Sequence, residues 1–196
     1  MARKYELRER AENVAATRDR IVEATVALHE QLGPARTTIS AIAGRADVQR
    51  LTVYRHFPDE RSLFRACSAH WTSRHPRPDA ATWELIGDPR LRLRTALLEI
   101  YAFFRRTEAM TGHVLRDLHE SPALREVAEP LVQYWLHVRE VLDEGWQARG
   151  RQRELLRAAV GHAIAFETWH SLTGREGLSD TAAAGAMVEF VGAVEN

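Results

Sequence analysis

Cysteine is nearly missing from this chain of 196 residues: Cys67 stands alone. One thiol excludes an intrachain disulfide and any zinc site built from cysteines. Its neighbours Leu63 and Phe64 sit at helical spacing, so the expectation is a small buried hydrophobe rather than a redox sensor. Apolar runs are short as well, and none approaches the ~20 residues needed to span a bilayer. The opening stretch, MARKYELRERAENVAATRDR, has no apolar core of the signal-peptide kind, and a cytoplasmic protein is expected. Strand-like alternation, internal repeats and low-complexity segments are likewise absent. So are a phosphate-cradling glycine loop and a Gly-x-Ser-x-Gly elbow.

Net charge is zero, but it is unevenly spread. Residues 1–75 hold 13 Arg/Lys against 9 Asp/Glu, and residues 76–196 hold 14 against 18. A basic N-terminal part beside an acidic remainder fits a chain of which one end meets nucleic acid. Enzymatic chemistry would have to come from histidines and carboxylates. His162, Glu167 and His170 share one expected helix, and His113 lies near His119, but neither set forms a known ligand motif. We expect no enzyme, no catalytic residues, no metal and no cofactor.

Periodicity makes the chain all-α. Residues 1–17 alternate acid and base, as a frayed arm or solvated helical extension would; Arg3, Lys4, Arg8 and Arg10 lie within reach of a DNA backbone. Ile21, Thr25, Leu28 and Leu32 mark a helix from Arg18 that Gly33-Pro34 ends. Pro58-Asp59 starts a helix with Leu63, Phe64, Cys67 and Trp71. His75-Pro76-Arg77-Pro78-Asp79 bars helix continuation, which divides the chain into 1–75 and 76–196. Asp88-Pro89 and Ser121-Pro122 are cap-plus-proline starts. The first opens a helix along Leu93, Leu97, Ile100, Tyr101 and Phe104, and the second one along Val127, Leu131, Trp135, Val138 and Leu142. Thr107–His119 reads as a shorter helix with a break at Gly112. Arg153–Leu172 reads as one helix that is apolar on two sides. Ser179 caps a final helix rich in small residues.

The most informative stretch is Thr37–Phe57, TTISAIAGRADVQRLTVYRHF. Ile39, Ile42, Ala43 and Ala46 form one apolar helical face, which Thr38 can cap. Asp47 tolerates the left-handed conformation of a helix-ending turn. Val48 can plug that turn into the core. After Gln49, only Val53 and Phe57 face inward, so the second helix presents an outer face of donors suited to a major groove.

These residues, with Leu63-Phe64, resemble the helix-turn-helix of the tetracycline-repressor (TetR) family of bacterial transcription regulators. Thr52-Val53-Tyr54-Arg55-His56-Phe57 matches the family's mark at every position. Asp47 and Leu51 depart from it, standing where members usually have glycine. So does Glu60, near which members carry a phosphate-touching lysine; Arg61 is the neighbour that could replace it.

The resemblance implies a three-helix DNA-binding domain plus a larger helical domain for effector binding and dimerisation. It implies DNA contacts at Thr38, Gln49, Arg50, Leu51, Thr52, Tyr54, Arg55 and His56, with Arg50, Leu51 and Thr52 on base edges and Thr38, Tyr54 and His56 on phosphates. It implies a homodimer built on the last two helices and acting on a near-palindromic operator. It also implies a small-molecule effector. Tyr101, Phe104, Met110, His113, Trp135, Phe166, Trp169 and His170 are the side chains whose mixture of apolar wall and polar tips suits an organic ligand. The competing expectation is a helical carrier or interaction protein that has lost specific DNA binding; Leu51 and Glu60 are its support.

Overall fold

The computed structural model describes residues 2–195 and, in the first helix, the side chains of Tyr5 and of residues from Arg8 onward. The side chains of Arg3 and Lys4 lie outside what it describes. Among the described residues there are α-helices and no strand. In order they are α1 (Ala2–Leu32), α2 (Ile39–Arg45), α3 (Arg50–His56), α4 (Glu60–Arg74), α5 (Ala80–Glu84), α6 (Pro89–Asp117), α7 (Pro122–Asp143), α8 (Arg151–Ala163), α9 (Phe166–His170) and α10 (Asp180–Glu195).

Local chemistry sets most helix ends. Thr38 accepts from the Ala41 amide, Asp59 from Ser62, Ser121 from Leu124 and Ser179 from Ala182, each giving a free N–H of a first turn its partner. Asp88 does the same for Arg90 and Leu91 behind Pro89. Gly33 ends α1 with φ 92°, a conformation that favours glycine.

Of the two readings of the N-terminal stretch, the helical extension is what the structure has: the first helix runs from Ala2, because Ala, Glu and Arg are strong helix formers and pairs such as Arg8–Glu12 (2.8 Å) support it. Three expectations are corrected. Leu32 is exposed and not part of the core stripe. Gly112 does not break the chain: α6 runs unbroken to Asp117, since one glycine costs a long packed helix only about 1 kcal/mol. Arg153–Leu172 is not one helix. It stops at Ala163, resumes at Phe166 and widens into a π-helical turn over Ser171–Arg175. The carbonyl of Ala163, left without an intrahelical donor, accepts instead from the Tyr101 hydroxyl at 2.8 Å.

The chain forms two compact units. One comprises the residues up to Pro76 together with Gly112–Ala128; the other comprises Arg77–Thr111 and the residues from Glu129 onward. In the first unit Ile21, Val22, Leu28, Ile42, Val53, Phe57, Leu63 and Phe64 are buried, as is Cys67, whose thiol burial pushes up to about 12. In the second, Leu93, Leu97, Ile100, Tyr101 and Phe104 of α6 pack with Val138 and Leu142 of α7, Leu156 and Val160 of α8, and Ala184 and Val191 of α10. No helix among the described residues is long and apolar enough to cross a membrane.

Candidate nucleic-acid interface

The helix-turn-helix is built on the first unit's core. Ile42 and Ala43 anchor α2; Val53 and Phe57 anchor α3, and burying the latter pair contributes roughly 1.5–3 kcal/mol each. The turn between the helices needs a residue of positive φ, and Asp47 supplies it at 52° in place of glycine. The Val48 amide then bonds the Ala43 carbonyl at 3.0 Å, and its side chain is half-buried. Anchored by Val53 within it and Phe57 just past its end, α3 leaves Arg50, Leu51, Tyr54 and Arg55 exposed, and Thr52 and His56 half-buried on its flank. Gln49 caps α3 through its backbone, leaving its exposed side chain unused by the helix. Leu51 is 68% exposed. The structure therefore gathers Gln49, Arg50, Leu51, Thr52, Tyr54, Arg55 and His56 along one short helix, with exposed Thr38 at the start of α2.

A groove adjoins this helix. The exposed part of α1 forms one wall with Arg10, Asn13 and Thr17; Thr52, Arg55 and His56 of α3 form the other.

The segment Gly112–Ala128, where α6 passes into α7, grips the N-terminal helices from within the same unit. The buried carboxylate of Asp117 accepts from the Ala35 amide at 3.0 Å and pairs with Arg116 at 2.7 Å. Burial alone would raise this carboxyl, but the Arg116 and Ala35 hydrogen bonds hold it below the usual carboxylate range. Arg116 also donates to the Leu32 carbonyl, and His113 Nδ1 to that of His29. His29 itself is buried against Phe64, and desolvation lowers its pKa to about 4 despite the nearby Asp117 charge. Glu126 of α7 pairs with Arg61 (2.8 Å) and Arg65 (2.9 Å) of α4, while Glu60 accepts from the Ser121 hydroxyl at 3.2 Å. Glu60 and Arg61 are thus engaged with the α6–α7 corner. Asp117 and Glu126 carry no motif, and only their contacts reveal them.

In the second unit the aromatic residues converge on Phe104. Its ring centroid lies 5.6 Å from Trp135, 5.4 Å from Phe166 and 5.7 Å from Trp169. Tyr101 is buried beside it, and His170 stacks on Phe166 while facing Glu108 at 3.5 Å. The sequence pattern did not single out the polar rim. Trp169 Nε1 donates to Asp180 at 2.9 Å, and Arg105 bonds Asp180 at 2.8 Å while covering the Trp169 ring. Met110 is buried in this unit. His113 belongs to the first unit and is not one of this group. Among the described residues no group of three or more His, Cys, Asp or Glu is arranged to hold a metal.

A half-anchored second helix behind a left-handed turn, on an all-α chain, is the geometry of a helix-turn-helix. Residues 21–67 match the family model described as bacterial regulatory proteins, tetR family. The fold agrees over the length of the chain. A TetR-like transcriptional regulator from Rhodococcus sp. RHA1 superposes with a TM-score of 0.64 at 20% identity, covering 89% of this chain and 93% of that one. NalD, the secondary repressor of the MexAB-OprM multidrug efflux pump in Pseudomonas aeruginosa, gives 0.61 at 21% identity, covering 92% and 95%. AibR, solved in complex with isovaleryl coenzyme A and operator DNA, gives 0.61 at 18%, covering 89% and 97%. No curated protein matches the chain at a significant level.

Proposed function

We propose that this protein is a cytoplasmic, effector-released repressor that binds a near-palindromic operator as a homodimer. The observation that carries the DNA-binding reading is the outer face of α3, where Arg50, Leu51, Tyr54 and Arg55 stand exposed on a helix held by Val53 and Phe57. Arg50 can form a bidentate pair with guanine, and Leu51 with the Thr52 methyl can touch thymine methyls; Thr38, Tyr54 and His56 take phosphates, with Gln49 and Arg55 at the ends of the helix. No catalytic step enters this reading.

Dimerisation is supported by apolar exposure on α8 and α10, where Leu155 is 52% and Phe190 45% exposed. Small residues on α10, Ala182 and Ala186 among them, are exposed as well and allow another helix to approach closely. The four helices of two copies would form a bundle and set two α3 helices on half-sites about one helical turn apart. The effector site is centred on Phe104, Trp135, Phe166 and Trp169, with Tyr101, Met110 and His170 around it. Rings rimmed by Arg105, Glu108 and Asp180 suit an organic molecule bearing a polar group. AibR, of like fold, was solved with both an acyl-coenzyme A and operator DNA, which supports control by a ligand of that general size.

The experiment is a binding titration of the purified protein on duplex DNA from upstream of its own gene, across salt concentrations, followed by a screen for compounds that release it. Specific, salt-dependent retardation supports the regulator. Absence of any DNA binding at low salt would instead favour the carrier.

A further inference from the structure

We propose that the part of α1 from Glu9 to Thr17 is a second DNA-binding element, and that the groove between it and α3 receives one strand of the sugar-phosphate backbone. The inference rests on the regulator reading and extends it to residues outside the helix-turn-helix. The groove is about 430 Å³ and lies in the first unit. One wall is continuous with the DNA-reading surface, since Thr52, Arg55 and His56 belong to α3 itself. The other wall supplies the Arg10 guanidinium and the Asn13 amide, donor types that serve phosphate oxygens, while the Thr17 hydroxyl donates to the Asn13 carbonyl at 2.8 Å.

Two further features fit a backbone strand. Val14 lines the groove while 51% exposed, an apolar surface that a deoxyribose would cover. The helix is also built without this stretch being needed for the core: Arg8 to Asn13 are all exposed, yet α1 is unbroken from Ala2. The stretch is therefore a helical extension whose side chains are not used by the core. Among the described residues Glu9 is the one carboxylate lining the groove, and it opposes phosphate there. Arg8, one residue away, is occupied by Glu12 and does not line it.

That arrangement gives substitutions of opposite sign. Arg10→Ala should weaken operator and random duplexes alike, about fivefold near 0.15 M salt, and lower the slope of log K against log salt by about one. Glu9→Gln should tighten both duplexes, and Arg8→Ala should leave them nearly unchanged. All three positions are solvent-exposed, and circular dichroism checks that the helix persists. Unchanged affinity and salt slope for both Arg10→Ala and Glu9→Gln, in a protein that still discriminates its operator, would overturn the groove and leave the regulator standing. Loss of discrimination by Arg10→Ala would overturn it too, because backbone contacts carry no base information. A wild-type protein that binds no DNA would remove both readings together.

Discussion

At the scale of single residues, His29 is the side chain whose environment makes the firmest prediction. It is buried and neutral, with its pKa lowered to about 4 by burial, whereas an unfolded histidine titrates near 6.5. The unfolded chain therefore binds more protons between those values, and stability must fall as pH falls through that window. From pH 7 to pH 5 the loss should be about 2 kcal/mol. Urea unfolding at the two pH values measures it, and His29→Gln should remove that part of the slope. Asp143 works the other way, since burial raises its pKa even beside three arginines; the His29 variant separates the two. Cys67 gives a second check. With its thiol buried and pushed up to about 12, it should resist alkylation in the folded protein and react only on unfolding.

At the scale of elements, the α6–α7 corner is part of the first unit. Asp117→Ala leaves the Ala35 amide and the Arg116 guanidinium without their carboxylate, and should cost about 1–3 kcal/mol in the first unit. Asp117→Asn, which keeps an acceptor, should cost less. Both are read from the denaturation midpoint and compared with DNA affinity; an unchanged midpoint for Asp117→Ala would remove the corner from that unit's support. Nothing in the sequence pointed to this contact, because Asp117 and Ala35 are 82 residues apart and neither belongs to a motif. The elements were legible wherever a local rule decides them. Thr38, Asp59, Ser121 and Ser179 are caps whose spacing to the first turn can be read directly, and Asp47 has few conformations that would end α2 so sharply. The breaks were not legible. Whether α8 stops at Ala163 depends on a distant Tyr101 hydroxyl that takes the freed carbonyl, and whether Gly112 breaks α6 depends on packing rather than propensity. In the candidate effector site, the aromatic residues were visible as an apolar pattern. Arg105 and Asp180 were not, since exposed charges on helices look alike until they are seen against Trp169.

At the scale of the whole molecule, the proposed regulator needs two copies and two states. Leu155→Glu with Phe190→Glu should place unpaired carboxylates in the α8–α10 face, giving a monomer by sedimentation at micromolar concentration and a weakened hold on a two-half-site operator. A dimer of unchanged mass would move the interface elsewhere. An effector that favours the DNA-incompatible state by about 3 kcal/mol weakens the operator roughly a hundredfold, and operator DNA weakens the effector equally. Trp169→Ala or Phe104→Ala should abolish that release; release unchanged in both would put the pocket in the wrong place. All of this presupposes that α3 reads bases. The most direct measurement compares Arg50→Ala with His56→Ala on operator and on random duplex of the same length and salt. Arg50→Ala should cost about 1–3 kcal/mol on the operator and little on random DNA, whereas His56→Ala should weaken both alike. Equal losses on the two duplexes for Arg50→Ala would contradict base reading by α3.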